Sequence, residues 1–323
     1  MGPQGIRAGW RFAIFVFLLF GFSKLFFWFL TVLFHYQEHA GWFPTDFLLD
    51  GALSFGAALL AARIMSKLER RPFAEYGLPQ RAMFRKPFWQ GALWGFASSL
   101  LMVILLRLLG AASIEGLALH GQTLVKFALL WGAAFLLLGF AEEFAYRGYS
   151  QAALTQGMGF WPAAVLLSAI FGAVHYFFKP MENWMDALSV GLFGLFWCFT
   201  LRRTGTLWFA IGFHAISDYA DMALFAQPNT GNNGQSLTSH LLNVSYHRSR
   251  GLHPMVSRDP GSSPARPALL GGSESLREPR RRSGRRDTFH AQRLAESRCP
   301  RAEVALGKGQ ADNGATRRVF VSL

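Results

Sequence analysis

The sequence predicts an all-α fold: a polytopic transmembrane bundle of about seven spanning helices. Of the 323 residues, 51% are hydrophobic and only 16% are charged, and the apolar residues gather in seven stretches of roughly bilayer length. A bilayer core of about 30 Å takes about 20 helical residues. Because backbone groups in lipid must be paired within the protein, each stretch is predicted to be a helix.

Short polar or glycine-rich segments separate these stretches. The stretches are residues 12–34, 46–65, 89–111, 122–141, 160–178, 185–201 and 205–226. The first is longer than the apolar core of a signal peptide and lacks a small-residue cleavage site, so we interpret it as a spanning helix. Residues 141–156 are expected to continue the fourth helix or to form a short helix of their own.

Charge is distributed unevenly along the chain. Residues 1–244 hold 16 Lys and Arg against 12 Asp and Glu, whereas residues 245–323 hold 16 against 7. We divide the chain into an N-terminal helix with an external loop (1–44), a membrane core (45–226) and a polar linker with a disordered Arg-rich tail (227–323). The abrupt change near Tyr246 favours a frame-shifted segment that has replaced an eighth helix, rather than a tail that binds anionic lipid. No nucleic-acid partner is expected.

Basic residues predict the orientation in the membrane. Two arginines precede the first helix, six basic residues lie in the loop 67–86, and Arg202 and Arg203 follow the sixth helix. The loops 35–45 and 112–121 contain no Lys or Arg. Because cytoplasmic loops carry the excess of positive charge, the N-terminus is predicted to be cytoplasmic. We expect a multi-pass protein of the plasma membrane or the bacterial inner membrane.

The stretch LLLGFAEEFAYRGYSQAAL (136–154) places two carboxylates and a guanidinium at the end of an apolar helix. Glu143 and Arg147 are spaced i,i+4 and can pair on one helix face. Glu142 is rotated by about 100° from its neighbour and need not share that partner. Ionisable groups at membrane depth are costly and usually mark function, although a charge cluster at the interface is the alternative.

Other ionisable residues lie within the later apolar stretches. His175 is in the fifth helix, and His214 and Asp218 are spaced i,i+4 on one face of the seventh. Asp221 is a weaker candidate, and Lys24 is expected only to reach toward the interface. The alternative for the histidines is interhelical packing or hydrogen bonding. Together, a carboxylate and two imidazoles in a protected cavity suit hydrolysis by an activated water.

Three motifs in order resemble the CPBP family of intramembrane proteases, which includes CAAX prenyl endopeptidases and abortive-infection-type proteins. They are E-E-x-x-x-R from Glu142, F-x-x-x-H ending at His175, and H-x-x-x-[N/D] from His214. The resemblance covers about residues 45–226, and FAEYGLP (73–79) is also similar to a recurrent family segment.

The resemblance implies a glutamate-type endopeptidase that needs no metal or other cofactor. Glu142 would be the general base for water, assisted by His175, while His214 and Asp218 would lie at the oxyanion position. Glu143 and Arg147 would support the site. Since an ionised Asp218 would repel an oxyanion, it is either protonated or orients the histidine. The implied partners are the lipid bilayer and a peptide or protein substrate, prenylated or carrying a leader.

Other functions remain open from the residues alone. A zinc-dependent membrane protease could use one carboxylate and two histidines, but HExxH is absent from the sequence. A serine protease would need a nucleophile such as Ser168 or Ser217, and neither lies in G-x-S-x-G. A non-catalytic scaffold, an immunity-type protein or a proton-coupled transporter is the further alternative, and the two cysteines suggest no disulfide or CxxC metal site.

Overall fold

The computed structural model describes residues 6–37, 39, 42–178, 183–228 and 236–247. Within these residues the chain is a bundle of α-helices with one two-stranded sheet, so the predicted all-α class is confirmed. The helices are α1 (Ala8–Phe34), α2 (Pro44–Glu69), α3 (Lys86–Leu108), α4 (Gly121–Glu143), α5 (Gln151–Met158), α6 (Phe160–Phe178), α7 (Trp184–Thr204) and α8 (Trp208–Asp218).

Six helical spans in the described residues are long and apolar enough to cross a membrane. They are α1, α2, α3, the continuous run Gly121–Met158, α6 and α7. The seventh predicted stretch, 205–226, forms the 11-residue α8 followed by a six-residue π-helical segment, Tyr219–Leu224. This is the second of two π-helical segments in the described residues, and the first follows α4. The chain is therefore a multi-pass membrane protein, and the predicted count of about seven exceeds the number of full-length spans by one.

The fourth helix continues past the acidic pair, which is one of the two outcomes expected for residues 141–156. A first π-helical segment, Phe144–Ser150, joins α4 to α5 without a break in the helical backbone. Every residue of this segment is buried, and several of its aromatic rings belong to the largest cluster of buried apolar side chains. The core of the bundle is thus built around the residues that follow the two glutamates.

Glycines allow α3 and α8 to pack at very short distance. A Cβ atom on Gly91 would lie 2.0 Å from the carbonyl oxygen of Phe209, and one on Gly95 would lie 2.4 Å from that of Phe213. Gly212 makes the reciprocal approach from α8. Small residues four apart are a common way for membrane helices to approach each other. This contact fixes the helix that carries the histidine and the aspartate described below.

Two short strands lie outside the helices. Strand β1 (Ala112–Leu117) pairs antiparallel with β2 (Leu242–Tyr246), and the ladder begins with Ala112 opposite Tyr246. Both regions were predicted to be polar loop or linker. Apolar and polar residues do alternate along β2 (LNVSY), but the two strands pair only because the tertiary fold brings the α3–α4 connection beside the chain that follows α8.

The chain between α8 and β2 packs against the bundle. Leu237 is 1% exposed and belongs to a buried cluster with Phe47 and Trp131. The backbone N–H of Thr238 donates to the carbonyl oxygen of Trp42 at 3.2 Å. The predicted linker is thus structured at residues 236–247, and the predicted disordered or frame-shifted tail beyond residue 247 lies outside the described residues.

Candidate active site

Glu142 and Glu143 lie at the end of α4, where the backbone enters the first π-helical segment. Glu142 is 3% exposed and Glu143 is fully buried. π-Helical turns are rare and occur frequently at functional sites. Because burial of a carboxylate costs free energy unless the group is paired, the partners of the two glutamates define the site.

Arg147 is the first of these partners. Its Nη1 donates to Oε1 of Glu143 at 3.2 Å, as the i,i+4 spacing predicts. The guanidinium carbon lies 4.4 Å from the ring centroid of Phe171 and 5.2 Å from that of Trp197. Aromatic faces attract a cation and replace part of its lost hydration. Arg147 is thereby held in the interior, where its charge balances that of Glu143.

Gly194 of α7 provides the space that this guanidinium occupies. A Cβ atom at position 194 would lie 2.4 Å from Nη2 of Arg147 and 3.3 Å from Oγ of Ser168. Heavy atoms do not tolerate a separation of 2.4 Å, so any side chain here would displace the arginine. Gly194 therefore acts on the site through Arg147.

His214 of α8 brings the two glutamates to a single ring. Its Nδ1 lies 2.9 Å from Oε1 of Glu143, and its Nε2 lies 3.6 Å from Oε2 of Glu142. Adjacent residues on a helix are rotated by about 100°, and this rotation lets the two carboxylates approach opposite nitrogens of one imidazole. A proton on Nδ1 that is donated to Glu143 leaves Nε2 directed toward Glu142.

The plane of the His214 ring is set by Trp197 of α7. The two rings are stacked, with centroids 4.4 Å apart and an interplanar angle of 9°. Trp197 also contacts the guanidinium of Arg147, so one indole supports both partners of Glu143. Sequence reasoning missed this residue because an aromatic side chain in an apolar helix gives no signal of a site.

Asp218 borders the same nitrogen of the histidine. Its Oδ2 lies 3.4 Å from Nε2 of His214, and its side chain is 31% exposed, whereas those of Glu142 and His214 are 5% or less. Nε2 therefore lies between two carboxylates, one buried and one partly exposed. A contact of this kind would let Asp218 orient the histidine.

His175 of α6 contacts Phe171, which borders this cluster. Its Nδ1 lies 3.0 Å from the carbonyl oxygen of Phe171, which fixes Nδ1 as a donor. The ring centroids of Phe171 and His175 are 4.6 Å apart. The guanidinium of Arg147 also lies over the ring of Phe171. The structure thus joins Glu142, Glu143, Arg147, His214 and Asp218 in one network of polar contacts, and His175 contacts Phe171, whose ring lies against the guanidinium of Arg147.

Two observations concern the other hydrolytic chemistries that the sequence left open, which are a metal centre and a serine nucleophile at Ser217. Among the residues that the structure describes, no three His, Cys, Asp or Glu side chains are grouped so as to hold a metal ion. The hydroxyl of Ser217 donates to the main-chain oxygen of His214 at 3.0 Å, so it is turned toward the backbone rather than the imidazole. A serine nucleophile needs the opposite arrangement.

Comparison with known proteins agrees with the geometry. Residues 124–220 match the family described as type II CAAX prenyl endopeptidase Rce1-like. The matched region contains all six predicted site residues together with Trp197 and Gly194. No curated protein and no solved structure matches the chain. This match over residues 124–220 confirms the resemblance to CPBP and CAAX membrane proteases that the three motifs carry.

Proposed function

We propose that this protein is an intramembrane endopeptidase in which Glu142 activates a water molecule to hydrolyse a peptide bond. The observation that carries the proposal is the buried imidazole of His214 held between the carboxylates of Glu142 and Glu143. Such a cluster is costly to bury, and its most exposed member is Asp218. The family match over residues 124–220 supports a CAAX-type protease.

The proposed reaction begins with proton transfer from water to the carboxylate of Glu142. The hydroxide that forms attacks the carbonyl carbon of the scissile bond and gives a tetrahedral intermediate with a negatively charged oxygen. The carboxyl group of Glu142 then returns the proton to the leaving nitrogen as the C–N bond breaks. General acid–base catalysis of this kind contributes about 10²–10⁴-fold to the rate.

His214 has a supporting part in this proposal. Its Nε2 is on the side of Glu142 and Asp218, where the carbonyl oxygen of the substrate would develop negative charge. With both ring nitrogens protonated, Nδ1 donates to Glu143 while Nε2 donates a hydrogen bond to that oxygen, which would stabilise the transition state. Glu143 and Trp197 hold the ring in place from the Nδ1 side and from one face. His175 is assigned the assisting role that the resemblance implies, positioned beside Phe171.

We propose further that the reaction requires no bound metal and that the substrate is a prenylated or leader-containing peptide presented at the cytoplasmic face. The basic loop 67–86 supports a site near the cytoplasmic face, because part of this loop packs beside the segment that follows the glutamates. The ring of Tyr76 lies 5.0 Å from that of Tyr149. Positive loops are retained on the cytoplasmic side of the plasma or inner membrane.

The test is a cleavage assay with the full chain in proteoliposomes. Fluorogenic prenylated peptides and a library of membrane-proximal leader peptides would be incubated with the wild type, Glu142→Gln and the control Glu115→Gln, and products would be identified by mass spectrometry. Glu115 is a suitable control because it lies on the exposed strand β1. Cleavage by the wild type and Glu115→Gln but not by Glu142→Gln, with or without a chelator, is the expected result. Loss of cleavage with the chelator and recovery with zinc would contradict the proposal.

A further inference from the structure

The 73–79 segment, FAEYGLP, links α2 to α3 and has no part in the mechanism described above. It consists of the 3₁₀ turn Phe73–Tyr76 followed by Gly77, whose φ of 81° is in the left-handed region. Tyr76 is 2% exposed and Gly77 is also buried. Connections between helices normally lie on the surface, so the burial of Tyr76 and Gly77 within this connection indicates that these two residues make structural contacts.

One set of contacts joins the segment to the first π-helical segment. The ring of Phe73 lies 5.6 Å from that of Phe144, and the ring of Tyr76 lies 5.0 Å from that of Tyr149. The carbonyl oxygen of Tyr76 is 3.1 Å from the position that a Cβ atom on Gly148 would take. The loop therefore packs directly on the residues that follow Glu142 and Glu143 in the chain.

A second set of contacts joins the same segment to the start of α8. The backbone N–H of Leu207 donates to the carbonyl oxygen of Gly77 at 2.9 Å. The indole Nε1 of Trp208 donates to the carbonyl oxygen of Pro79 at 3.3 Å. A Cβ atom on Gly77 would lie 3.0 Å from Cγ of Leu207. Since α8 carries His214 fewer than two turns further on, the loop is also bonded to the helix of the histidine.

Helices α4 and α8 also touch each other directly. The glutamates and the histidine lie between that point of contact and the 73–79 segment. A Cβ atom on Gly139, three residues before Glu142, would lie 3.3 Å from Cβ of Ala215, the residue after His214. The 73–79 segment bridges the same two elements at the other end. The rings of Phe140 and Trp208, 5.7 Å apart, also join α4 to α8 directly, and the segment adds contacts with both elements beyond that point.

We propose that the 73–79 segment is a positioning element that sets the separation of Glu142 from His214. The inference rests on the proposed function only for its effect on rate; the geometric effect on the histidine stands without it. Nε2 of His214 is 3.6 Å from Oε2 of Glu142, which is outside hydrogen-bond length. A displacement of about 1 Å between reacting groups can cost about 10²-fold in rate, so release of the loop should reduce turnover.

The first test pairs two buried tryptophans whose indole hydrogen bonds have the same length. Trp208→Phe removes the hydrogen bond to Pro79. The control, Trp131→Phe, removes the bond from the buried Trp131 to the carbonyl oxygen of Thr238, which has the same length of 3.3 Å but joins α4 to the chain before β2. Each variant loses one hydrogen bond and part of one buried indole, so the loss of thermal stability should be similar.

The second test pairs two glycines with positive φ. Gly77→Ala strains the backbone and presses on Leu207, whereas Gly110→Ala strains a backbone of φ 68° that has no heavy atom within 4 Å of the new methyl group. This pair keeps the inference testable if Trp208→Phe does not fold. All variants would be measured as the full chain for kcat, KM and melting temperature. The ring ¹⁵N resonances of His214 would be assigned by their loss in His214→Gln.

The expected result is that Trp208→Phe and Gly77→Ala lower kcat about tenfold or more with little change in KM, and shift the His214 resonances. Trp131→Phe and Gly110→Ala should leave kcat and the resonances unchanged. Unshifted His214 resonances in both test variants, with losses of kcat no larger than those of the controls, would overturn the inference. Shifted resonances in a protein that cleaves none of the peptides would uphold it and refute the proposed function instead.

Discussion

Replacement of Arg147 with methionine should destabilise the protein strongly, because it removes the buried cation that pairs with Glu143. The side chains of both residues have no exposed surface, and their N–O distance is 3.2 Å. Removal of one partner of a buried ion pair costs about 3–5 kcal/mol, since the other charge is left uncompensated. At about 2–4 °C for each kcal/mol in a domain of this size, the melting temperature should fall by about 6–20 °C.

The companion variant is Arg147→Met combined with Glu143→Gln, which removes both charges. The glutamine can still hydrogen-bond to Nδ1 of His214, so the double variant should recover part of the lost stability while remaining inactive. Thermal unfolding in detergent and cleavage in proteoliposomes measure the two properties separately. The reasoning would be refuted if Arg147→Met were as stable as the wild type, or if the double variant were less stable than the single one.

Three further predictions concern residues around the imidazole of the site. Trp197→Leu should lower kcat about tenfold or more, because the His214 ring would no longer be held in one plane. Trp94→Leu, at an exposed position, should leave kcat unchanged in steady-state kinetics. Gly194→Ala should destabilise by about 1–3 kcal/mol because its methyl group collides with the guanidinium, whereas Gly21→Ala, with nothing within 4 Å, should not alter the melting temperature. Asp218→Asn should retain activity within about tenfold, because an amide can still hydrogen-bond to the imidazole, and Asp218→Leu should not. Equal kcat values for Trp197→Leu and Trp94→Leu, equal melting temperatures for the two glycine variants, or equal activities for the two Asp218 variants would each contradict the corresponding prediction.

Helical periodicity was sufficient to predict the pairs that lie on a single helix. Glu143 with Arg147, and His214 with Asp218, are spaced i,i+4 and are in contact in the structure. Apolar stretches of bilayer length likewise predicted the helix bundle. Both inferences depend on local geometry, which a sequence carries directly.

Contacts between helices could not be read from the sequence in the same way. The meeting of Glu142 and Glu143 on one histidine requires α4 and α8 to be adjacent, and the stacking of Trp197 requires α7 beside them. The glycine spacing in α3 offered a signal of close packing but did not name the partner helix. The π-helical segments also depend on tertiary contacts. The apolar–polar alternation of β2 was a local signal of a strand, but it did not name β1 as the partner.

The measurement that tests the central claim most directly is kcat of the full-length wild type and Glu142→Gln on one cleaved peptide, with a chelator present throughout. Glutamine has nearly the shape of glutamate but cannot accept a proton from water. The account predicts a fall in kcat of about 10²-fold or more in the variant and full activity of the wild type in the chelator. A variant within about tenfold of the wild type, or a wild type silenced by the chelator, would contradict a glutamate-activated water.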